Sequence, residues 1–336
     1  MKLVSFLKNG NECVGLISED LVYDIFMMHE GLPDTMNKLL AQWDTIYPDL
    51  LSVSKKISTL PQIKRHGIPM NEVKFMAPVP YPSSLRDGYA FRQHVETARR
   101  NRGLEMTPVF DSFPVFYFGN HHTVLGPGPV SCMPDHFKKL DFELEAAIVI
   151  CRKGKNISAE EADAFIGGLM ILNDLSARHL QMEEMLLNLG PAKGKDFATT
   201  TGPWLVTLEE LKTHETTCKK NHIGKSWNLK MTASVNEKSV SEGNLSDMEW
   251  TFAELIERAS YGVDLFPGDI IGSGTVGTGC FLELNGSGKL NDPRYTEQWL
   301  EPGDKIELKI EGLGTLQNQM LVEPGNYSIL NLKKQV

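Results

Sequence analysis

The sequence predicts an α+β protein in which strands outnumber helices, and three features support this fold class. Apolar and other residues alternate from Asp141 to Cys151, as in a long strand. The tripeptide Pro-Gly-Asp occurs at 267–269 and 302–304, each time as a tight turn before a strand-like run. Helix-start signals lie between further strand patterns, so helices are interspersed among strands. The 336 residues, 41% of them hydrophobic, are enough to bury a full-sized core.

The first 75 residues are predicted to form a small domain of their own. Strand patterns at Lys2 to Leu7, Glu12 to Ile17 and Leu21 to Ile25 precede helical stretches that reach Lys64. A proline-rich segment follows at 77–82, and prolines interrupt both helices and sheets. We therefore expect a β-rich N-terminal domain at residues 1–75 and a larger domain at residues 76–336.

The larger domain opens with segment 84–101, which lacks proline and is rich in Arg, Gln, Glu and Ala. This composition predicts that most of the segment is helical, with His94 on the helix. Strand patterns follow at Val115 to Phe118 and at Asp141 to Cys151. In the second of these strands, one face is predicted to carry Phe142, Leu144, Ala146, Ile148 and Ile150.

Later signals alternate between helices and turns. Ser/Thr-x-x-Glu capping boxes predict helices that start after Ser158, Thr207 and Thr251. The glycine-rich segment 272–279 lacks the Gly-Lys-Ser/Thr ending of a phosphate-binding loop, and no helix is evident after it. We therefore expect it to be a β-loop at an active site.

Charge and cysteine usage exclude several classes of function. The net charge is −9, from 43 acidic and 34 basic residues, whereas nucleic-acid binding needs a basic surface. The five cysteines are odd in number and form no CxxC pair, which favours reduced thiols in a cytoplasmic protein. Lys8 interrupts any signal-like N-terminus, and no run approaches the about 20 apolar residues of a membrane helix. We expect a small-molecule substrate, with no nucleic-acid or membrane partner.

Glu143 and Glu145 are the most informative pair for chemistry. Residues two apart in a strand point to the same side, and two neighbouring carboxylates repel each other unless something neutralises them. Their face continues with Ala147, Val149 and Cys151, which argues against free solvation and favours a hard cation as the counter-charge. An exposed edge strand with solvated glutamates is the alternative.

Asp174 ends a second apolar run that starts at Ile166. An acid at this position can bind a metal, but it can equally cap the helix that follows, and on the residues alone capping is favoured. Arg178 and Gln181, three apart, share a helix face from which they can donate hydrogen bonds to an acidic substrate, although a solvated surface is the commoner outcome.

Six separated motifs, which occur in the expected order, make the chain resemble the fumarylacetoacetate hydrolase family across about residues 73 to 325. They are Asp87-Gly-Tyr-Ala-Phe-Arg-Gln-His94, Pro114-Val-Phe-Tyr117, Glu143-Leu-Glu145, Asn173-Asp174-Leu-Ser-Ala-Arg178, Gly194-Lys195-Asp-Phe-Ala-Thr199, and Gly274-Thr275 with Leu282-Glu283-Leu284. The resemblance implies a mixed β-sandwich or roll with helices on its outside, and a homodimer.

The resemblance also implies a site that residue spacing alone does not establish, since a lone histidine on a helix is more often a surface or satisfied core residue. The implied metal is Mg²⁺ or Ca²⁺, with Mn²⁺ possible. His94 is implied as the general base and Glu283 as the group that orients it. The implied metal ligands are Asp87, Glu143, Glu145 and Asp174, supported by Lys195 and Thr199. The residues implied around the substrate are Tyr89, Tyr117, Arg178, Gln181 and Thr275.

The implied reaction is hydrolysis of a carbon–carbon bond in an acidic 1,3-diketone, with fumarylacetoacetate, an intermediate of tyrosine degradation, as the leading substrate. His94 would activate water, and Lys195 with backbone N–H groups would stabilise the oxyanion. His179 and Met185 stand where the family pattern has an acid and a tyrosine, which leaves the substrate open. Alternatives are an acylpyruvate or fumarylpyruvate hydrolase, an oxaloacetate decarboxylase or isomerase, and a non-catalytic protein stabilised by metal.

Overall fold

The computed structural model of the chain describes residues 1–334 and is an α+β fold rich in strands, as predicted. The strands are β1 Lys2–Lys8, β2 Asn11–Ser18, β3 Leu21–Asp24, β4 Ile68–Pro69, β5 Lys74–Phe75, β6 Leu85–Gly88, β7 Phe116–Gly119, β8 Val124–Leu125, β9 Gly128–Cys132, β10 Leu140–Asp141, β11 Leu144–Ile150, β12 Gly154–Lys155, β13 Ile166–Asp174, β14 Ser176–Ala177, β15 Thr199–Val206, β16 Glu215–Thr216, β17 Ser226–Trp227, β18 Lys230–Val235, β19 Lys238–Asn244, β20 Asp264–Leu265, β21 Ile270–Gly272, β22 Lys305–Ile310 and β23 Gly314–Val322. The α-helices are α1 Ile25–Met28, α2 Met36–Ala41, α3 Trp43–Thr59, α4 Arg92–Arg100, α5 Ala159–Ala162, α6 Arg178–Met185, α7 Phe252–Ser260 and α8 Phe281–Asn291.

Two large sheets organise these elements, and three two-stranded sheets, β10-β14, β12-β20 and β16-β17, lie outside them. The larger has twelve strands, in the order β4-β3-β2-β1-β15-β13-β11-β21-β6-β7, with β5 paired to β1 and β8 paired to β15. The smaller has five strands, in the order β19-β18-β22-β23-β9. Most pairs are antiparallel, but β6 with β21, β8 with β15 and β9 with β23 are parallel. These mixed sheets confirm the predicted fold class.

Strand β11 lies in the middle of the large sheet and is buried on both faces. Its residues Ala146 and Ile148 enter the core that is shared with the smaller sheet, while Ala147 and Val149 enter the core on the opposite face. This alternation follows from the two-residue period of a strand. Burial on both faces excludes the alternative of an exposed edge strand for this segment.

The second core is closed by helix α3. Its buried residues recur at helical spacing and are Trp43, Ile46, Leu50, Val53 and Ile57. They belong to the same core as Ala147 and Val149 of β11. The large sheet is also continuous across this junction, because Leu3 of β1 pairs with Leu205 of β15. The division into domains at residues 75 and 76 stays a prediction.

Segment 84–101 corrects the sequence prediction, because its first residues form strand β6 and only Arg92–Arg100 is α-helical. The strand forms because β6 has a partner on each side, β21 in parallel and β7 in antiparallel register. Pairing between distant segments therefore outweighs the local helical composition. As a result, Asp87 lies on an interior strand of the sheet.

The expectation that no helix follows the glycine-rich segment is wrong, because α8 begins directly after it. Gly286 and Gly288 lower the helix propensity of this stretch and conceal it in the sequence. The Asp141 carboxylate stabilises the N-terminus of the helix by accepting hydrogen bonds from the backbone N–H groups of Phe281 (2.8 Å) and Leu282 (2.9 Å).

Of the three predicted capping boxes, only the one at Thr251 forms, with reciprocal bonds to Glu254. Ser158 and Thr207 precede α5 and a 3₁₀ segment, but their side chains make no capping bond. The Thr207 hydroxyl instead accepts a hydrogen bond from the N-terminal ammonium, at 2.8 Å.

Within residues 1–334, no helix is long and apolar enough to cross a membrane.

The packing of α3 can be tested with two adjacent leucines. Leu50 is fully buried and Leu51 is 42% exposed. Replacing Leu50 with Ala leaves a cavity in the core, and we expect the free energy of unfolding to fall by about 2–5 kcal/mol. Leu51→Ala is the matched control, with an expected change of about 0.5 kcal/mol. Urea unfolding measures both, and equal losses would contradict the packing described.

Candidate active site

Two carboxylates meet across strand β21, which lies between β11 and β6. In the sheet register, Gly272 of β21 pairs with Ala147 of β11 on one side and with Asp87 of β6 on the other. A Cβ atom on Gly272 would lie 2.3 Å from Oδ1 of Asp87 and 3.3 Å from Oε2 of Glu145. A glycine is therefore required at this position for the two carboxylates to converge.

Glu143 and Asp174 complete an acidic cluster. Carboxylate oxygens of Asp87, Glu143 and Glu145 all lie within 4.8 Å of one another. These three residues are buried, as is Asp174 at the end of β13, which pairs in register with Thr199 of β15. The structure thus brings together the four acids that the resemblance implied as metal ligands, with Thr199 next to them.

Asp174 does not act as the helix cap that its position also allowed. Helix α6 begins four residues later, at Arg178, and its N-cap residue is Ala177. The side chain of Asp174 instead accepts hydrogen bonds from the ammonium of Lys195 and from the hydroxyl of Tyr117. This excludes the capping interpretation and places Tyr117 and Lys195 directly against the cluster.

The nearby cations of the chain do not balance all the negative charge of the cluster. Burial and the charge of Asp174 raise the pKa of Asp87 to about 7. Burial raises the pKa of Asp174 to about 6, against the opposing effect of Lys195. Burial and the charge of Asp87 raise the pKa of Glu145 well above its ordinary value. These shifts indicate that another positive charge would stabilise the ionised cluster.

Glu143 differs from its neighbours because two cations contact it. Its Oε1 accepts a hydrogen bond from Arg178, at 2.8 Å, and its Oε2 accepts one from Lys195. Burial raises the pKa of Glu143, but the charges of Lys195 and Arg178 outweigh burial and lower that pKa overall. Glu143 is thus held as an anion by the chain itself.

Two fully buried oxygen atoms in the cluster have no hydrogen-bond donor among the described residues. They are Oε2 of Glu145 and Oδ1 of Asp174, and both are buried. The other oxygen of Glu145 accepts a hydrogen bond from the Thr275 hydroxyl, at 3.1 Å. Leaving buried charged oxygens unpaired costs free energy, and a hard divalent cation coordinated by oxygen atoms fits such positions. The donor set is therefore compatible with a metal ion.

His94 and Glu283 form a second, adjacent group. His94 lies on α4 and Glu283 in the first turn of α8, and Nδ1 of the imidazole is 2.6 Å from Oε2 of the carboxylate. Both side chains are buried, and the Tyr89 ring meets the His94 ring edge to face at 5.7 Å. The charge of His94 also contributes to the lowered pKa of Glu143, which relates this pair to the acidic cluster.

Arg178 does not extend its donors freely toward a substrate, in contrast to the expectation from its spacing with Gln181. Arg178 is buried, and its guanidinium donates to Asp141 and to Glu143, both at 2.8 Å. Its remaining terminal nitrogen donates to Oε1 of Gln181, at 2.9 Å. The two residues do share a helix face, as predicted, but Arg178 is bonded to two acids of this chain and to the amide oxygen of Gln181.

Sequence reasoning missed three residues that shape the site. Asp141 links Arg178 to the start of α8, Gly272 provides the gap between two carboxylates, and Cys280 lies beside His94 and Glu283. Asp141, Glu143 and Glu145 are spaced two residues apart, and this alternation was a detectable signal that Asp141 lies on the same side of the chain as the two glutamates. Gly272 begins the glycine-rich segment expected at an active site, but nothing in the sequence marked its place between two carboxylates, and nothing marked Cys280.

Comparisons with known proteins identify the family to which the chain belongs. The sequence model described as fumarylacetoacetate (FAA) hydrolase C-terminal matches residues 84–321. A fumarylacetoacetase of Oryza sativa subsp. japonica is 30% identical over 82% of this chain and 72% of its own length. An oxaloacetate tautomerase of Bacillus subtilis (strain 168) is 34% identical over 75% of this chain and 74% of its own length.

A solved structure gives the same result for the fold. A probable 2-hydroxyhepta-2,4-diene-1,7-dioate isomerase from Mycobacterium abscessus superposes with a TM-score of 0.67, at 25% identity, over 97% of this chain and 100% of that one. The three proteins are thus a hydrolase, a tautomerase and an isomerase. With the family match spanning most of its length, the chain is an enzyme that belongs to the fumarylacetoacetate hydrolase family.

Proposed function

We propose that the chain is a divalent-metal-dependent hydrolase that cleaves a carbon–carbon bond in an acidic 1,3-diketone, with fumarylacetoacetate as the leading substrate. The observation that carries the proposal is the His94–Glu283 pair beside the buried carboxylate cluster. Water activation requires a base, and a carboxylate on the far ring nitrogen is what such a base needs to be oriented. The rice fumarylacetoacetase among the relatives supports the same reaction.

The proposed metal ligands are the carboxylates of Asp87, Glu143, Glu145 and Asp174. The unpaired oxygens of Glu145 and Asp174 support this assignment, and so does the gap at Gly272. Oxygen-only donors favour Mg²⁺ or Ca²⁺, with Mn²⁺ also compatible. When bound, the cation supplies a Lewis acid that polarises the substrate carbonyls.

In the proposed hydrolysis, Nδ1–H of His94 donates to Glu283, which leaves Nε2 free to accept a proton from water. The resulting hydroxide adds to one carbonyl carbon. The adjacent carbon–carbon bond then breaks, and its electron pair goes to the departing carbon, which takes up a proton to give the ketone product. Glu283 stabilises the imidazolium between these two proton transfers.

Several neighbours have proposed roles in substrate binding. Tyr89 lies against His94, and Tyr117 and Thr275 contact Asp174 and Glu145, so all three border the space beside the cluster. Lys195 keeps Glu143 and Asp174 ionised and provides positive charge near a developing oxyanion. For Arg178 and Gln181 we propose a positioning role through Glu143 in place of direct substrate contact.

A second candidate is keto–enol tautomerisation of a 2-oxo acid such as oxaloacetate. The 34% identical relative from Bacillus subtilis favours it. His94 can move a proton between carbon and oxygen without activating water, so the same residues are compatible with this reaction. An acylpyruvate or fumarylpyruvate hydrolase would use the proposed hydrolytic steps on a substrate with a different acyl group.

Substrate assays distinguish these reactions. Ultraviolet absorbance follows fumarylacetoacetate, an acylpyruvate, and enol-oxaloacetate, each with Mg²⁺ and with EDTA. We expect metal-dependent loss of fumarylacetoacetate with one fumarate and one acetoacetate formed per turnover. Tautomerisation of oxaloacetate without hydrolysis of any diketone would overturn the proposal in favour of the second candidate.

The roles of the two residue groups can be separated by paired variants. His94→Ala removes the base and should lower kcat by about 100- to 10,000-fold with little change in metal affinity. Glu145→Gln removes a ligand charge and should weaken metal binding by at least about 10–100-fold and lower turnover as well. Calorimetric titration with Mn²⁺ and steady-state kinetics measure both, with Glu96→Ala on the exposed face of α4 as control. Equal loss of metal affinity in both variants would contradict the assignment.

The raised pKa values predict how metal binding depends on pH. Asp87, with a folded-state pKa of about 7, binds protons more tightly when folded than when unfolded, so its contribution to stability is lost as pH rises through that value. A bound cation removes this loss because it stabilises the ionised carboxylates.

We therefore expect Mg²⁺ to raise the thermal unfolding midpoint more at about pH 8 than at about pH 6, relative to EDTA. Differential scanning fluorimetry measures the shift, and Asp87→Asn should reduce its dependence on pH. An equal metal-induced shift at both pH values would argue against these carboxylates as the ligands.

The homodimer and the cytoplasmic location stay predictions.

A further inference from the structure

A second group of metal-binding side chains lies beside the acidic cluster and shares no residue with it. A ring nitrogen of His94, Sγ of Cys280 and a carboxylate oxygen of Glu283 all lie within 4.8 Å of one another. Cys280 is the N-cap residue of α8 and Glu283 lies in its first turn, while His94 lies on α4. All three side chains are buried, so the group is fixed by the packing of the two helices.

The donor atoms of this group differ in kind from those of the acidic cluster. Nitrogen, sulfur and oxygen together form a donor set typical of Zn²⁺, which binds them at about 2.0–2.3 Å. Around a tetrahedral ion of this size, donor atoms are separated by about 3.3–3.8 Å, which is within the 4.8 Å limit that encloses the three donor atoms here. Mg²⁺ and Ca²⁺ prefer oxygen atoms, so the two groups should select different cations.

The charges around Cys280 favour a cation. Asp141, Glu143 and Glu283 place negative charge near the sulfur, and Arg178 places positive charge near it. Burial raises the pKa of the thiol, so the neutral form is the resting state. Binding of a divalent cation would therefore displace one proton from the thiol to solvent and leave a metal–thiolate bond.

We propose that His94, Cys280 and Glu283 form an inhibitory site for Zn²⁺, or a cation of similar thiol affinity, separate from the site of the catalytic metal. Three protein donors leave a fourth position for water, as in open zinc sites. Bound zinc would engage the imidazole and carboxylate that the proposed reaction uses to move protons. The inhibitory consequence rests on the proposed function, whereas the binding itself does not.

Cobalt provides a readout of binding that is independent of turnover. Co²⁺ bound to a thiolate gives a charge-transfer absorption in the near ultraviolet, and Co²⁺ commonly replaces Zn²⁺ in its sites. With the protein held in excess Mg²⁺, we expect Co²⁺ to produce this band, and Zn²⁺ to abolish it by displacement. Cys280→Ser should remove the band, and Cys132→Ser, which changes another buried thiol, should retain it. No band, or a band that persists in Cys280→Ser, would overturn the proposal.

His94→Ala serves as a second variant if Cys280→Ser prevents folding. It keeps the thiol but removes one donor, so we expect about tenfold or greater loss of cobalt affinity, judged from the band. Circular dichroism confirms that each variant is folded before titration. Unchanged cobalt affinity in a folded His94→Ala variant would also overturn the site.

The inhibitory effect is measured as the ratio of turnover with and without Zn²⁺ at saturating Mg²⁺. Cys280→Ser should need at least about tenfold more zinc for half-inhibition than Cys132→Ser or the unchanged chain. Equal inhibition in all three would mean that zinc acts by displacing Mg²⁺ from the acidic cluster, which contradicts the proposal. A cobalt band without turnover on any substrate would instead overturn the proposed function and leave the binding site standing.

Discussion

Mutual repulsion among buried carboxylates is the constraint on which the rest of this structure depends. Asp87, Glu145 and Asp174 are brought into the interior by three strands of one sheet, where each charge is costly to bury. The sheet permits their approach only because Gly272, between two of them, has no side chain. Lys195 and Arg178 offset part of the charge through Glu143 and Asp174, and the remainder is what a divalent cation would neutralise.

The hydrogen bonds of Asp141 connect this cluster to the base. Its carboxylate accepts from Arg178 and from the first N–H groups of α8, the helix that carries Glu283. Arg178 in turn contacts Glu143. The position of Glu283, and through it the orientation of His94, is therefore set by the same buried ion pairs that hold the acidic cluster. This arrangement lets a rigid scaffold position both halves of the site.

Features of the site that depend on neighbouring residues could be predicted from the sequence, whereas features that depend on residues far apart in the chain could not. Glu143 and Glu145 were identified from strand periodicity alone, because the two-residue alternation is a local property of the backbone. Asp87 lies in a segment predicted to be mostly helical, because nothing local shows that Leu85–Gly88 has a strand partner on each side. The helix α8 was missed since its N-terminus is stabilised by Asp141, about 140 residues earlier in the chain, and its own glycines disfavour it.

The family resemblance grouped the residues into one site. The structure then showed hydrogen-bond and ion-pair partners that no local sequence pattern indicated. Arg178 illustrates the difference, since its spacing with Gln181 suggested a pair of donors for substrate, whereas burial commits it to Asp141 and Glu143. Cys280 carried no signal in the sequence, because its significance lies only in its distance from His94 and Glu283. Long-range packing therefore decides which charged residues remain available for binding.

The position of a bound cation tests most directly whether the four buried carboxylates form the metal site. Crystals grown with Mn²⁺ allow the metal to be located by its anomalous scattering. We expect an anomalous peak coordinated by Oε2 of Glu145 and Oδ1 of Asp174, with Asp87 and Glu143 completing the oxygen ligands. A fully occupied manganese elsewhere, with the four carboxylates free of metal, would contradict it.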